Sequence, residues 1–221
     1  MNCCGERRGF KIFGKVFCFI LLFVLSFVFL TGCTDKKKED KFIAEFTDDS
    51  GVTYGIYSSK AGGSETFYAK VTAVADNTHP SEISVSIPQK VTYEGVEYSV
   101  KVIGDLAFYR SNYDIIHIPE GVTAIEKFAF DRAKATIINL PSTITSIGEY
   151  AFLDCVSLRD IYLKSEVPPV LGAYAFMVYD TNTGKYINSS ILAIHVPTTA
   201  KKRYTDINNY PHWEDYQGNI R

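Results

Sequence analysis

Four histidines are the first residues of this 221-residue chain that raise the question of a metal site. Two of them, His117 and His195, occupy the middle position of a recurring Ile-x-Ile or Ile-x-Val segment. If these segments are neighbouring strands about 4.8 Å apart, the two imidazoles lie three strands, or roughly 14 Å, apart. A zinc ion binds imidazole nitrogens at about 2.1 Å, so the two residues do not share one. His79 and His212 have no Cys or carboxylate at ligand spacing, and we predict no metal site.

The remaining candidates for chemistry are equally weak. Cys155 falls at a core position of its repeat, where a buried thiol is inert. No serine sits in a nucleophile elbow, and no glycine-rich phosphate loop is present. Asp180, Asn182 and Gly184 resemble the start of a calcium loop but lack the glutamate that such a loop needs at its twelfth position. We therefore predict a surface hairpin over residues 177–190, no enzyme activity and no cofactor.

One phrase, Ile-Gly-x-x-Ala-Phe, returns four times along the chain. Its copies occupy residues 103–108, 125–130, 147–152 and, more loosely, 171–176. Successive copies are separated by 22, 22 and 24 residues. A fixed period of this length indicates a solenoid in which each repeat stacks on the previous one.

Each repeat is predicted to contain three short elements. The Ile-x-Ile or Ile-x-Leu segment predicts a strand with both apolar side chains on one face, and the Pro that often follows ends it. A second short strand comes next, as at residues 122–125 and 144–147. We expect the Ala-Phe phrase to form a short helical turn that buries its Phe between repeats. The fold class is thus α/β but mostly β, a short solenoid of about five rungs.

The outer face of the first strands is the best candidate for a binding surface. Ile115, Ile137 and Tyr162 are apolar yet occupy outward positions in this register. An exposed apolar strip with polar groups at its rim often marks an interaction site. Alternatively, the N-terminal strands or the 177–190 segment cover this face. The candidate ligand-binding residues, called the outer strip below, are Ile115, His117, Ile137, Asn139, Asp160, Tyr162 and His195.

Caps are predicted at both ends of the solenoid, because unpaired end strands are a hazard. Alternating residues over 42–83 predict a small antiparallel β cap, and residues 91–98 predict a hairpin inserted in the first repeat. At the other end we expect Thr198 and Thr199 to N-cap a helix over 200–207. Tyr204, Tyr210 and Trp213 would then close the last rung.

The first residues of the chain are typical of a secretion signal. Four basic residues precede a fifteen-residue apolar run over 16–30, which is short for a membrane span of about 20 residues. Leu-Thr-Gly-Cys at 30–33 follows at once and resembles the lipobox of bacterial lipoproteins. The resemblance implies cleavage after Gly32 and lipidation of Cys33. An uncleaved anchor helix is the alternative.

Removal of residues 1–32 leaves 19 basic and 24 acidic side chains, a formal charge of −5. A mildly acidic protein has no general attraction to nucleic acid, and we expect no such partner. Only Cys155 remains besides Cys33, so no disulfide framework is expected.

The most specific resemblance lies in residues 147–163. The pattern Ile-Gly-x-x-Ala-Phe-x-x-Cys-x-x-Leu-x-x-Ile-x-Leu resembles the BspA-like leucine-rich repeats of surface lipoproteins of the Bacteroides group. Weaker copies cover residues 84–197, and the segment from 196 to 213 resembles the end cap of that family. Glu126 in place of Gly, Ala133 in place of Cys and the long insertion at 177–190 depart from the pattern. The family implies a lipid-anchored protein of the outer membrane, displayed at the cell surface, that binds host or envelope protein.

These observations predict five segments: a signal peptide (1–32), a charged tether (33–41), an N-terminal β cap (42–83), leucine-rich repeats (84–197) and a C-terminal helical cap (198–221). We expect a monomer held to the membrane through lipid on Cys33. The alternatives are a scaffold for an envelope partner on the periplasmic face and a glycan-binding accessory lipoprotein. Glycan binding would favour several outward aromatic residues in a row, and the outer strip offers only Tyr162.

Overall fold

The structure is a computed structural model that describes residues 40–61, 63–75, 84–189, 191–206 and 208–221. The predicted signal peptide, the lipobox and Cys33 lie outside these residues. None of the helices among these residues has the length and hydropathy of a membrane span. The described strands are β1 (Lys41–Thr47), β2 (Val52–Ala61), β3 (Ser64–Val74), β4 (Ser84–Ser86), β5 (Lys90–Tyr93), β6 (Val96–Ile103), β7 (Ile115–His117), β8 (Ala124–Ile125), β9 (Ile137–Leu140), β10 (Ser146–Ile147), β11 (Asp160–Leu163), β12 (Val170–Leu171), β13 (Met177–Asp180), β14 (Lys185–Asn188) and β15 (Ala193–His195).

Two parallel sheets run along the repeats, as the sequence predicts. The first sheet has the order β4-β7-β9-β11-β15, which gives the five predicted rungs. The second sheet contains the short strands β8, β10 and β12 and continues through β6 into the N-terminal strands. Side chains alternate between the two faces along the first strand of each repeat. Ile116, Ile138 and Ile161 therefore point inward and are fully buried.

Stacked phenylalanines fill the space between rungs. Phe108, Phe130, Phe152 and Phe176 are all buried, and neighbouring ring centroids lie 4.8, 4.8 and 5.1 Å apart. Each ring therefore packs against the corresponding ring of the neighbouring repeat. The prediction that the Phe of the phrase fills the core is confirmed.

The turn that carries each Phe is not helical, contrary to the sequence prediction. Residues 105–110 and their counterparts form consecutive turns. The residue before each Ala is left-handed, with φ of 58° at Leu106, 55° at Phe128, 56° at Tyr150 and 57° at Tyr174. A left-handed residue reverses the chain direction locally, so no helix can propagate through it.

Close approach between rungs explains the glycine of the phrase. A Cβ atom added to Gly148 would lie 2.6 Å from the backbone carbon of Glu126 in the preceding repeat. Glu126 occupies the position of this glycine in the preceding repeat, and its side chain is 37% exposed. Its carboxylate bonds Lys70 Nζ at 2.8 Å and accepts the Asp105 N–H at 3.0 Å. The departure at Glu126 therefore ties the N-terminal sheet to the solenoid.

The N-terminal cap is an antiparallel sheet, as predicted. Strands β1, β2 and β3 pair in order, and β3 pairs in parallel with β6. Strands β5 and β6 form the predicted hairpin, whose turn residues Glu94 and Gly95 are left-handed, with φ of 49° and 79°. The cap therefore extends the second sheet edge to edge.

The C-terminal cap contains less helix than predicted. Helix α1 spans only Lys201–Tyr204, and its N-cap is Ala200 without a side-chain bond. Thr199 does not cap it, because its hydroxyl bonds the Glu166 carboxylate at 2.9 Å. A 3₁₀ helix follows at Glu214–Asn219. Trp213 is fully buried, packs edge-on against Tyr204 at 5.0 Å and donates Nε1–H to the Pro169 carbonyl, so aromatic packing closes the last rung.

Candidate functional site: the outer strip

The outer strip lies on the solvent side of the first sheet in the predicted register. Ile115 pairs with Ile137, and Ile137 pairs with Asp160. In the next column His117, Asn139, Tyr162 and His195 occupy four successive strands. Each strand contributes outward residues two positions apart, so seven residues that are distant in sequence form one surface.

Polar contacts order the strip. Asn139 Nδ2 lies 3.1 Å from His117 Nδ1 on the neighbouring strand. His195 Nε2 lies 2.7 Å from Asp160 Oδ1, and the His195 ring stacks on Tyr162 with centroids 4.4 Å apart and an interplanar angle of 9°. The C-terminal half of the strip is thus a fixed cluster of a carboxylate, an imidazole and a phenol.

A shallow cavity of about 400 Å³ opens at this cluster. Its volume is within the range of small ligand sites. Three strip residues contribute to it, and Lys164 adds a positive charge. The lining residues are Asn139, Tyr162, Leu163, Lys164, His195, Val196 and Pro197.

The described strands of the two segments that could cover the strip pair elsewhere. The N-terminal strands continue the second sheet, and β13 and β14 pair as the predicted hairpin. That hairpin is joined to Asp154 through the Tyr179 N–H and to the Asp215 carbonyl through Asn188. Tyr162 remains 40% exposed, while Ile115 and Ile137 are half-buried.

The described residues offer little else for chemistry. Among them, no three His, Cys, Asp or Glu side chains meet where they could hold a metal ion. Cys155 is buried, and its thiol donates to the Phe130 carbonyl at 2.9 Å. Burial raises the pKa of this thiol far above its ordinary value. The Asp180 carboxylate accepts the Thr183 hydroxyl and the Asn182 N–H, which lower its pKa and close the hairpin turn.

Sequence reasoning missed a second row of outward aromatic residues. Phe128, Tyr150 and Tyr174 stack along the turn side of the repeats, with centroids 5.2 and 5.4 Å apart. This row lies outside the outer strip, whose only tyrosine, phenylalanine or tryptophan is Tyr162. The sequence signal for this row is the aromatic residue directly before Ala in the last three copies of the phrase, a position for which the helical-turn prediction gives no outward direction.

The repeats match the family described as BspA type leucine rich repeat region, in six copies over residues 84–199. The chain belongs to this family. Proteins with BspA type repeats are generally bacterial cell-surface proteins, and leucine-rich repeats are generally scaffolds without enzyme activity.

This chain is similar to solved structures of leucine-rich repeat proteins. A leucine-rich repeat protein from Bacteroides capillosus is 24% identical over 68% of this chain and 97% of its own, with a TM-score of 0.50. A leucine rich cell surface protein from Faecalibacterium prausnitzii is 22% identical over 72% of this chain and 44% of its own, with a TM-score of 0.45. Comparison with curated proteins gives no match.

Proposed function

We propose that this chain is a lipid-anchored protein of the outer membrane whose outer strip binds a protein partner at the cell surface. The observation that carries the proposal is the strip itself, where apolar Ile115 and Ile137 lie beside the ordered Asp160, His195 and Tyr162 cluster. Partly apolar, partly polar surfaces with a central aromatic residue are typical of protein interfaces. Membership of the BspA type family supports the surface location.

The binding surface is tested by crosslinking from a defined position. A photoreactive amino acid replaces Tyr162 on the strip, and in a matched control it replaces Tyr109, which is 41% exposed outside the strip. We expect a specific crosslinked protein from position 162 on intact cells and none from position 109. Identical products from the two positions would contradict a binding role for the strip.

A second pair of variants separates binding from folding. Tyr162→Ala combined with Ile137→Asp should abolish capture of the crosslinked partner. The melting temperature should change little, because Tyr162 is exposed and Ile137 is only half-buried. A large fall in melting temperature would mean that the strip belongs to the core.

The lipid anchor is tested by Cys33→Ala. We expect this variant to move from the membrane fraction to the soluble fraction, because acyl chains supply about 0.8 kcal/mol per buried methylene. Retention in the membrane would favour an uncleaved anchor helix instead.

The orientation is tested by protease digestion of intact cells that express the protein with a C-terminal epitope. Loss of the epitope without lysis indicates surface display and a host or matrix partner. Protection until lysis contradicts surface display and favours a scaffold for an envelope partner on the periplasmic face.

A further inference from the structure

The row formed by Phe128, Tyr150 and Tyr174 occupies strained backbone and ends in an exposed ring. Phe128 and Tyr150 are half-buried, whereas Tyr174 is exposed. Bulky residues with positive φ are uncommon, and each costs free energy of order 1–3 kcal/mol. Tyr174 nevertheless combines a φ of 57° with an exposed fraction of 47%. Core packing therefore does not account for an aromatic ring at this position.

The last ring of the row faces a cleft. Stacking covers the ring faces between Phe128, Tyr150 and Tyr174, but among the described residues no further ring stacks beyond Tyr174. The β13–β14 hairpin brings Lys185 and Tyr186 to this end. The four residues Tyr150, Tyr174, Lys185 and Tyr186 line a cavity of about 370 Å³, called the tyrosine cleft below.

The hairpin holds the opposite wall of the tyrosine cleft in place. Tyr186 packs edge-on against Tyr179, with centroids 5.3 Å apart and an interplanar angle of 64°. The Tyr179 N–H donates to Asp154 Oδ1 at 2.7 Å, which fixes the hairpin to the third repeat. The insertion that departs from the repeat pattern thus builds one wall of the cleft.

The polar groups of the tyrosine cleft are available to a ligand. In the described part of the chain, the hydroxyls of Tyr150, Tyr174 and Tyr186 make no hydrogen bond to protein. The Lys185 ammonium likewise forms no ion pair with a described carboxylate. The cleft therefore presents aromatic surface, three phenol hydroxyls and one unpaired positive charge.

We propose that the tyrosine cleft binds an acidic saccharide, a pyranose ring that carries a carboxylate. The C–H groups of a pyranose face pack against an aromatic ring, and its hydroxyls exchange hydrogen bonds with the phenols. The carboxylate pairs with Lys185 in a charge-assisted hydrogen bond. Lys185 repels a cationic ligand, which excludes the quaternary ammonium compounds that aromatic cages otherwise attract.

The shape of the cleft favours a small ligand over a protein surface. A concave site of a few hundred Å³ lined by aromatic side chains and a few polar groups is typical of small-molecule recognition. The outer strip, in contrast, extends over four strands. The tyrosine cleft is therefore a site distinct from the proposed protein-binding surface. Binding of a saccharide in the cleft can be tested separately from binding of a protein on the outer strip.

The test is saturation-transfer NMR on the full chain in detergent, with sialyllactose and a hyaluronan tetrasaccharide as acidic probes. Lactose and chitotetraose are the neutral counterparts. We expect transfer to the protons of the acidic pyranose rings and weak or no transfer to the neutral sugars. Equal transfer to acidic and neutral sugars would overturn the acidic specificity, and no transfer to either acidic probe would overturn the site.

Variants assign the signal to the cleft. Tyr186 lies on β14 and has ordinary backbone dihedral angles. Tyr186→Ala should raise the dissociation constant of the acidic saccharides about tenfold or more, as expected for the loss of one aromatic contact. Tyr174→Ala should do the same, Lys185→Gln should remove the preference for acidic sugars, and Tyr162→Ala on the outer strip should change neither. Unchanged affinity in both tyrosine variants, or competition by a Glu-Glu dipeptide as strong as that by sialyllactose, would contradict the proposal.

Discussion

His195 on β15 and Asp160 on β11 are hydrogen-bonded across neighbouring strands, with Nε2 and Oδ1 2.7 Å apart. The same imidazole stacks on Tyr162, which lies two residues after Asp160. One ring therefore joins the two outward positions of β11. The order of the outer strip at this end comes from contacts between surface residues, not from burial in the core.

This origin predicts a small effect of His195→Ala on stability. Both side chains are about one-third exposed, at 35% and 33%. A polar contact this exposed contributes about 0–1 kcal/mol even when both groups are charged. We expect the free energy of unfolding in urea to fall by less than about 1 kcal/mol. The matched control is Ile194→Ala, at the residue directly before His195. Ile194 is fully buried, and its loss should lower the free energy of unfolding by about 2–5 kcal/mol. Equal losses in the two variants would show that His195 supports the fold.

The phenylalanine stack predicts a much larger effect. Phe130 is fully buried and touches Phe108 and Phe152, each with a centroid distance of 4.8 Å. Phe130→Ala leaves a cavity between two repeats and should cost about 3–5 kcal/mol in urea unfolding. Phe67→Ala is the control, because this Phe is 53% exposed on β3. A loss in Phe130→Ala no larger than that in the control would mean that the repeats collapse to refill the gap.

The contact between rungs at Gly148 predicts that even one methyl group is destabilising there. Its Cβ would lie 2.6 Å from backbone atoms of the preceding repeat, which cannot move without shifting the ladder. We expect Gly148→Ala to cost about 1–3 kcal/mol, as overpacking does. Gly218→Ala has open space around its Cβ and should be close to neutral. Similar melting temperatures for the two variants would contradict the close approach.

The repeat architecture was predictable because its signal is periodic. Side chains of a strand alternate, so each Ile-x-Ile segment determines both which residues are buried and which columns face outward. The register of Ile115, Ile137 and Asp160, which are 22 and 23 residues apart, follows from aligning the Ile-x-Ile and Ile-x-Leu segments of successive repeats. The second strands and the antiparallel N-terminal cap were also predicted, from alternation and turn residues.

The turns and the tyrosine cleft were not predictable in the same way. A positive φ at Tyr150 or Tyr174 has no composition signal, since these residues are not the ones that favour left-handed backbone. The position of the 177–190 hairpin depends on contacts such as the Tyr179 N–H to Asp154, which join residues far apart in sequence. The short helix α1 was overestimated because Thr199 bonds Glu166 instead of capping it.

Cys155 is predicted to be unreactive in the folded protein. Its thiol is buried and donates to the Phe130 carbonyl, and burial raises its pKa far above the ordinary range of cysteine. Because the thiolate is the reactive form, iodoacetamide at pH 8 should leave Cys155 unmodified in native buffer and alkylate it in urea. Mass spectrometry of the peptide that contains Cys155 measures both states. Rapid alkylation in native buffer would mean that the third repeat opens easily.

The buried carboxyl group of Asp131 should make the stability of the protein depend on pH. This residue is 7% exposed, and its Oδ1 atom is buried without a hydrogen-bond partner among the described residues. Burial raises the pKa of its carboxyl; Arg132 and Arg110 act against this rise, and Asp154 adds to it. The folded state therefore holds the proton more tightly than the unfolded state.

The sign of the effect follows from this linkage. Stability contributed by protonated Asp131 is fully present below the ordinary aspartate pKa of about 3.9 and is lost as the pH rises through the higher folded value. Asp131→Asn remains neutral, so it should be more stable than the natural chain at pH 7, with the advantage shrinking toward pH 3 in urea unfolding. Asp131→Leu tests the same position with the residue that the next repeat uses there, Leu153, and should also be more stable at pH 7. If both variants are less stable at pH 7, attraction between the ionised carboxylate and the two arginines outweighs the cost of its burial.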